Sequence, residues 1–142
     1  MSKSNAFENA LLLLIFNGTA IADLAENDTS SPATNLYVSL HTGDPGEAGS
    51  QTTNECAYTS YARVAVARSG AGFTVTGNSV SPAAAITFPA ATGGTETATH
   101  VGIGTASSGA GVLLYKGALS ASISIVSGVT PRCPTTSAIT ED

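Results

Sequence analysis

The sequence predicts a mainly β protein, with a single-domain β-sandwich or jelly-roll-like fold and one N-terminal helix. Strand-like runs recur from Ser30 onward, and turn residues separate them at spacings of roughly 8–15 residues. The longest stretch with helical patterning lies before residue 26. With 142 residues, of which 42% are hydrophobic, the chain can bury a single core. We therefore expect one β-rich domain over residues 1–142, with the sandwich over 30–142.

The predicted helix covers residues 5–25. Asn5 is a candidate N-cap, and Glu8 three positions later would complete a capping box. Gly18 is expected to end or bend the helix, because glycine readily adopts the left-handed conformation found at helix ends.

One face of this helix is a candidate partner interface. Most of its circumference is apolar, and such a helix is usually buried on more than one side. Burial entirely within its own domain is the alternative. The face carries Phe7, Leu11, Leu14 and Ile15.

The clearest strand is LYVSLHT, which begins at Leu36 and alternates strictly. This alternation predicts a strand buried on one face only, with Tyr37, Ser39 and His41 on the other. The Asp44-Pro45-Gly46 sequence then breaks the strand with strong turn residues. The polar connection 43–55 is longer than a hairpin needs, and loops of this length are usually functional or flexible.

The remaining β segments follow from β-branched runs bounded by Gly, Pro, Ser and Asn. The tail 129–142 is expected to be a last strand or an extended arm. The predicted strands are 35–42, 57–68, 72–76, 78–81, 84–88, 98–104, 111–118 and 121–127.

The low content of charged residues is typical of a protein that functions within a larger assembly. Only 11% of the residues are charged and the net charge is −5, so a partner could cover the surface while few ions lose their hydration. An exposed β-domain with a Ser/Thr-rich surface is the alternative. The five basic residues are scattered, whereas DNA binding requires clustered cations, so we expect no direct contact with nucleic acid.

Arg63 and Arg68 stand in an otherwise apolar segment and are further interface candidates, together with Tyr37. A half-buried arginine needs a carboxylate, which Glu55, Asp44 or a partner's acid could supply. Exposure of each guanidinium to solvent is the alternative.

Nothing in the sequence predicts catalysis, a cofactor or a metal centre. His41 with the acids of the following loop lacks the ligand density of a zinc or calcium site, although a weak Ca²⁺ site in the 43–55 loop stays open. No nucleophile signature accompanies His100. Gly102 and Gly104 lack the third glycine and the helix of a phosphate loop, so they are expected to mark close packing of another backbone or side chain.

Two cysteines, Cys56 and Cys133, are expected to be free thiols, because no secretory signal is recognisable and the cytosol keeps thiols reduced. The apolar run LLLLIF is far shorter than the ~20 residues that cross a bilayer. We therefore expect no membrane contact.

Several phrases of the chain resemble a family of small virion proteins of tailed bacteriophages, whose members are described as tail fibre or capsid decoration (cement) proteins. The resemblance covers most of the chain and lies in the order of the phrases NALLLLIFNGTAIADLAEN, LHTGDPGEAG, NECAYTSYARVAVARS, FTVTGNSVSPAAAITFPAATGG and ITED. It implies a structural protein of the virion that is assembled in the host cytoplasm.

Of the two placements that the resemblance implies, the capsid is favoured from sequence. The chain has no internal repeat that could build a fibre shaft. The expected role is a decoration protein that binds the major capsid protein and stabilises the head, as a homo-oligomer, either a dimer or a trimer. A tail-fibre or baseplate component for host attachment is the alternative.

Overall fold

The computed structural model describes residues 5–21 and 32–141. Strands account for 41% of the chain and helix for 9%, which confirms the mainly β fold with an N-terminal helix. Within these ranges, no helix is long and apolar enough to cross a bilayer. The elements are α1 (Asn5–Asn17), β1 (Asn35–His41), β2 (Val64–Ala67), β3 (Phe73–Thr76), β4 (Ser79–Pro82), β5 (Ile86–Thr87), β6 (Glu96–Gly104), β7 (Leu113–Ile125), β8 (Arg132–Cys133) and β9 (Ile139–Thr140).

The strands form three small sheets. The first has the order β2-β1-β6-β7, the second β3-β4-β9, and the third pairs β5 with β8. The pairings of β1 with β6, β6 with β7, β3 with β4 and β4 with β9 are antiparallel. A sandwich or jelly-roll arrangement stays a prediction.

The chain divides into two compact units. The first unit holds the described residues of 1–35, 66–86 and 133–142, and the second holds 36–65 and 87–132. The expectation of a single domain over the whole chain stays a prediction.

In the first unit, helix α1 packs on strands β3 and β4. Leu12 and Phe16 are fully buried on the helix, and the Phe16 ring meets Phe73 edge to face with centroids 4.9 Å apart. The Asn9 amide also donates to the carbonyl of Gly77, at 2.6 Å. The helix is therefore fixed by aromatic packing at one end and by a polar contact near the other.

Helix α1 begins at Asn5, the predicted N-cap, and ends at Asn17. Gly18 follows with φ of 67°, a left-handed value that glycine adopts without strain, which confirms that the helix ends there. The helix is therefore shorter than the predicted 5–25, and residues 22–25 of that prediction lie outside the described residues.

Strand β1 differs from prediction in its burial. Leu36, Val38 and Leu40 are buried as expected, but Ser39 and His41 on the opposite face are also fully buried. The expectation of one exposed face was wrong because the 43–55 connection folds over that face: the Thr53 carbonyl accepts from the His41 ring.

Two strand boundaries were also wrong. Of the predicted strand 57–68, only Val64–Ala67 forms a strand; the first part of the prediction turns at Ser60, which has φ of 80°. The predicted strands 111–118 and 121–127 form one strand, β7. The expected break between them is a bulge, in which Leu119–Ser122 lies opposite the single residue Thr99 of β6.

The tail 129–142 returns to the fold instead of extending as an arm. Its residues Arg132–Cys133 and Ile139–Thr140 form β8 and β9, and β9 pairs with Ser79 and Val80 of β4. The Asn78 side-chain amide and backbone carbonyl then form hydrogen bonds with the backbone of Glu141, each at 2.9 Å, which fixes the segment that follows β9.

Candidate partner interface and the buried polar cluster

The seven predicted interface residues are distributed over the two compact units. Five lie in the first unit and two, Tyr37 and Arg63, in the second. The side chain of Phe7 lies outside the described residues, and Tyr37 is half-buried. Leu11, Leu14 and Ile15 are also half-buried, which leaves part of this helix surface open to solvent.

Arg68 caps the helix that carries those apolar residues. Its Nε donates to the carbonyl of Ile15 at 2.7 Å, and its Nη2 donates to that of Leu14. These carbonyls belong to the last turn of α1, which has no following turn to bond them. A cation at this end also interacts favourably with the helix dipole. Backbone oxygens of α1 therefore bind the guanidinium in the described contacts.

Arg63 has a carboxylate partner, and of the acids that the sequence leaves open it is Glu55. Its Nε and Nη2 donate to the two oxygens of Glu55 at 2.6 and 2.8 Å, and the exposed fraction of its side chain is only 2%. Its Nη1 and Nη2 also donate to the carbonyls of Ala106 and Gly109, respectively. Arg63 therefore joins the end of the 43–55 connection to the β6–β7 turn.

Tyr61 extends this ion pair to the sheet. Its hydroxyl donates to Glu55 Oε1 at 3.0 Å and accepts from the backbone N–H of Leu40 at 3.1 Å. Burial is the main cause that raises the pKa of Tyr61 far above its ordinary value. The phenol therefore stays neutral and acts as a fixed hydrogen-bond donor to Glu55.

The polar face of β1 packs against glycines of β6. Gly102 pairs with Ser39, and a Cβ on Gly102 would lie only 2.7 Å from His41 Nε2. A Cβ on Gly104 would lie 2.2 Å from Cδ of Gln51. This confirms the expectation that Gly102 and Gly104 mark close packing of bulky groups.

Gln51 is the residue of this cluster that the sequence does not reveal. It is fully buried, and its Oε1 accepts from the backbone N–H of Ala106 at 2.9 Å. The backbone N–H of Gln51 donates to the carbonyl of Ala110 at 2.9 Å. Gln51 therefore binds the β6–β7 turn to the 43–55 connection, as Arg63 does from another position. A polar loop residue of this kind carries no periodicity that predicts burial.

Ser39 and His41 are hydrogen-bonded to each other as a nucleophile and its general base would be, but neither side chain is accessible from solvent. The Thr53 carbonyl can only accept, so His41 Nδ1 carries the proton and Nε2 accepts from Ser39 Oγ, at 2.8 Å in each case. Both residues are 0% exposed. In this arrangement the pair orders the strand and the covering connection, and a substrate would have no path to it.

Acid pH is expected to weaken the fold through His41. Burial is the main cause that lowers the pKa of His41 from its ordinary value, and the nearby Glu55 and the Thr53 carbonyl oppose it only in part. The unfolded chain therefore binds a proton at a pH of about 6.5, where the folded chain does not. The free energy of unfolding should fall as the pH drops below about 6.5 and level off below the folded-state pKa.

Urea unfolding across this pH range measures the effect. His41→Gln should lower stability at neutral pH and flatten the decline on acidification, whereas the His100→Ala control should leave the decline in place. A decline of the same slope in the His41→Gln chain would show that other groups cause it.

Acidic side chains of the 43–55 loop form ion pairs with a lysine of strand β7. Lys116 of β7 lies 3.1 Å from Asp44 and 3.0 Å from Glu47. The hydrogen bond from the Gly46 N–H, together with the Lys116 ammonium, lowers the pKa of Asp44. Within the described ranges, no group of three or more His, Cys, Asp or Glu residues is placed to bind a metal ion. The geometry therefore gives the loop an ion pair with the sheet.

Both cysteines are free and buried, as expected from the sequence. Burial, helped by Glu96 and Glu55, raises the pKa of Cys56 to about 12, and burial alone raises that of Cys133. Because the thiolate is the reactive form, neither thiol is activated in the folded chain.

A family model described as "Podophage GP4 fiber I protein gp80" matches residues 2–140 of this chain. The match spans both compact units and includes every described strand. No curated protein matches the chain.

Proposed function

Because the chain belongs to the family of the podophage GP4 fiber I protein gp80, and so to the structural proteins of phage virions, we propose that it is a subunit of a tail fibre. The family description is the observation that carries this proposal. It favours the tail-fibre placement, which was the alternative to the capsid in the sequence analysis. The chain would contribute contacts between virion proteins and no catalytic step.

The architecture supports a structural role. Two pairs of the buried polar cluster are engaged internally: Arg63 bonds Glu55, and His41 bonds Ser39 and the Thr53 carbonyl. These bonds fix the long 43–55 connection to the sheet. A rigid loop on a rigid sheet suits a subunit that must present the same surface in every copy.

A phage that lacks the protein tests the placement. If the chain is a fibre subunit, particles without it should keep their DNA and heat resistance but adsorb poorly to host cells. Adsorption and survival after heating are measured on the same preparations, with the protein supplied in trans as the control. Normal adsorption combined with loss of heat resistance would overturn the fibre proposal.

A capsid decoration protein is the second candidate. The absence of a shaft-forming sequence repeat and the low charge content of 11% favour it, since a decoration protein binds the shell through many weak contacts that act by mass action. Its partner would be the major capsid protein. The experiment above separates the two candidates, because only a decoration protein protects the head against heat.

A further inference from the structure

The turn that follows β1 contains the one Asp-Pro bond of the chain, Asp44-Pro45. An aspartate carboxylate that attacks its own backbone carbonyl carbon closes a favourable five-membered ring. The proline nitrogen is a good leaving group in this attack, because it belongs to a tertiary amide and accepts a proton more readily than an ordinary peptide nitrogen. The bond can therefore be broken by the side chain that precedes it.

The side chain of Asp44 is folded back along this bond. Its Oδ1 accepts from the backbone N–H of Gly46 at 2.9 Å, and this bond across the proline holds the carboxylate beside the Asp44-Pro45 peptide. The Lys116 ammonium lies 3.1 Å from the same oxygen. Because both described contacts are made by Oδ1, Oδ2 is the oxygen left for the attack. A nucleophile that is already fixed beside its target reacts with a lower entropic cost.

The carbonyl oxygen of Asp44 has its own hydrogen-bond donor. The side-chain amide of Asn54 donates to this oxygen at 3.0 Å. Negative charge develops on the oxygen when the carbonyl carbon is attacked, and a fixed donor stabilises that charge. The Asn54 backbone has φ of 55°, and its carbonyl accepts from the N–H of Thr42 at 2.7 Å. The far end of the 43–55 connection therefore holds the amide against the bond.

The surroundings of Asp44 keep its carboxylate charged and in contact with water. The side chain is 55% exposed. The charged and titratable groups near it are Lys116 of β7, His100 of β6 and Glu47 of its own loop. The hydrogen bond from the Gly46 N–H, together with Lys116, lowers the pKa of Asp44. The carboxylate therefore stays ionised at mildly acidic pH, where the proton that the leaving nitrogen needs is more abundant.

We propose that Asp44-Pro45 is a self-cleavage site of the folded chain. Asp44 Oδ2 forms a bond to the Asp44 carbonyl carbon, the bond from that carbon to the Pro45 nitrogen breaks, and the nitrogen takes a proton from solvent. One water molecule then hydrolyses the cyclic anhydride, which restores the Asp44 side chain and leaves a new α-carboxylate. The event occurs once in each chain, so it is not a catalytic activity, and it is independent of the fibre placement.

The two pieces would remain associated after the cut. The first piece, residues 1–44, carries strand β1, whose residues 37–41 pair with β6 of the second piece. Leu36, Val38 and Leu40 of β1 are also buried. The cut would therefore free one end of the 43–55 connection from β1 without separating the pieces.

Incubation of the folded chain at a pH of about 5, within the range in which folded proteins are usually most stable, tests the site. Mass spectrometry should detect the pieces 1–44 and 45–142, whose masses together exceed that of the intact chain by one water molecule. The same incubation in urea measures the intrinsic lability of the bond. The folded chain, checked by circular dichroism, should be cut at least tenfold faster, because only the fold fixes the carboxylate and the Asn54 donor.

Three variants assign the effect to the described contacts. Asn54→Gly removes the amide and keeps the backbone, since glycine accepts φ of 55°; it should slow cleavage of the folded chain towards the rate in urea. Asn78→Gly, the matched change in the first unit, should leave the rate unchanged. Asp44→Asn, which lacks the carboxylate, should be cut at least tenfold more slowly than the wild-type chain. A folded chain that is cut no faster than the chain in urea, or full cleavage of folded Asn54→Gly, would overturn the proposal.

Discussion

Replacing Arg63 by alanine is expected to lower the free energy of unfolding by about 3 kcal/mol, since removal of one partner from a buried ion pair leaves an uncompensated charge. The Glu55 side chain is only 15% exposed and would keep the Tyr61 hydroxyl as a donor. The carbonyls of Ala106 and Gly109 would lose their guanidinium donor. Urea unfolding followed by circular dichroism measures the change.

Two variants make this result specific to the pair. Lys116→Ala removes the solvent-exposed ion pair with Asp44 and Glu47 and should shift the midpoint only slightly, since such pairs contribute little. The double change Glu55→Met and Arg63→Met should recover much of the loss, because apolar residues of similar volume can replace a buried pair. Equal effects of Arg63→Ala and Lys116→Ala would contradict the burial described here.

Gly104→Ala is expected to destabilise the second unit by about 2 kcal/mol through overpacking. The new methyl group would lie 2.2 Å from Gln51 Cδ, so the Gln51 side chain would have to leave its place. That movement would break its hydrogen bond to the Ala106 N–H and loosen the turn between β6 and β7. The measurement is again the free energy of unfolding.

A second change should rescue this variant. Gln51→Ala removes the group that the methyl would strike, so the two substitutions together should cost less than the sum of their separate effects. Gly117→Ala is the matched control on the neighbouring strand, because a Cβ there meets nothing within 4 Å. Strictly additive effects of Gln51→Ala and Gly104→Ala would contradict the proposed close packing.

The sequence predicts the fold class and several local features of the structure correctly. The alternation of Leu36, Val38 and Leu40 reports their burial, and Gly18 marks the end of the helix, because both depend on short-range backbone preferences. A carboxylate for Arg63 is also expected, since a buried guanidinium requires a nearby acid, and Glu55 is one of the acids that the sequence offers.

The errors concern contacts between distant segments. The burial of Ser39 and His41 depends on the 43–55 connection returning over the sheet, and period-two alternation does not report what covers a face. The segment before the turn at Ser60 is bound by the distant Glu96, whose carboxylate accepts from the backbone N–H of Ala57 and Tyr58. The bulge in β7 resembles a strand break in sequence, because both use small polar residues.

The stoichiometry of the protein in purified virions tests the fibre proposal most directly. Quantitative mass spectrometry of intact particles gives the ratio of this chain to the major capsid protein. A fibre subunit should be present at a small fraction of the capsid protein, in a number set by the symmetry of the tail. A number of copies comparable with that of the capsid protein would contradict the fibre placement and favour decoration of the head.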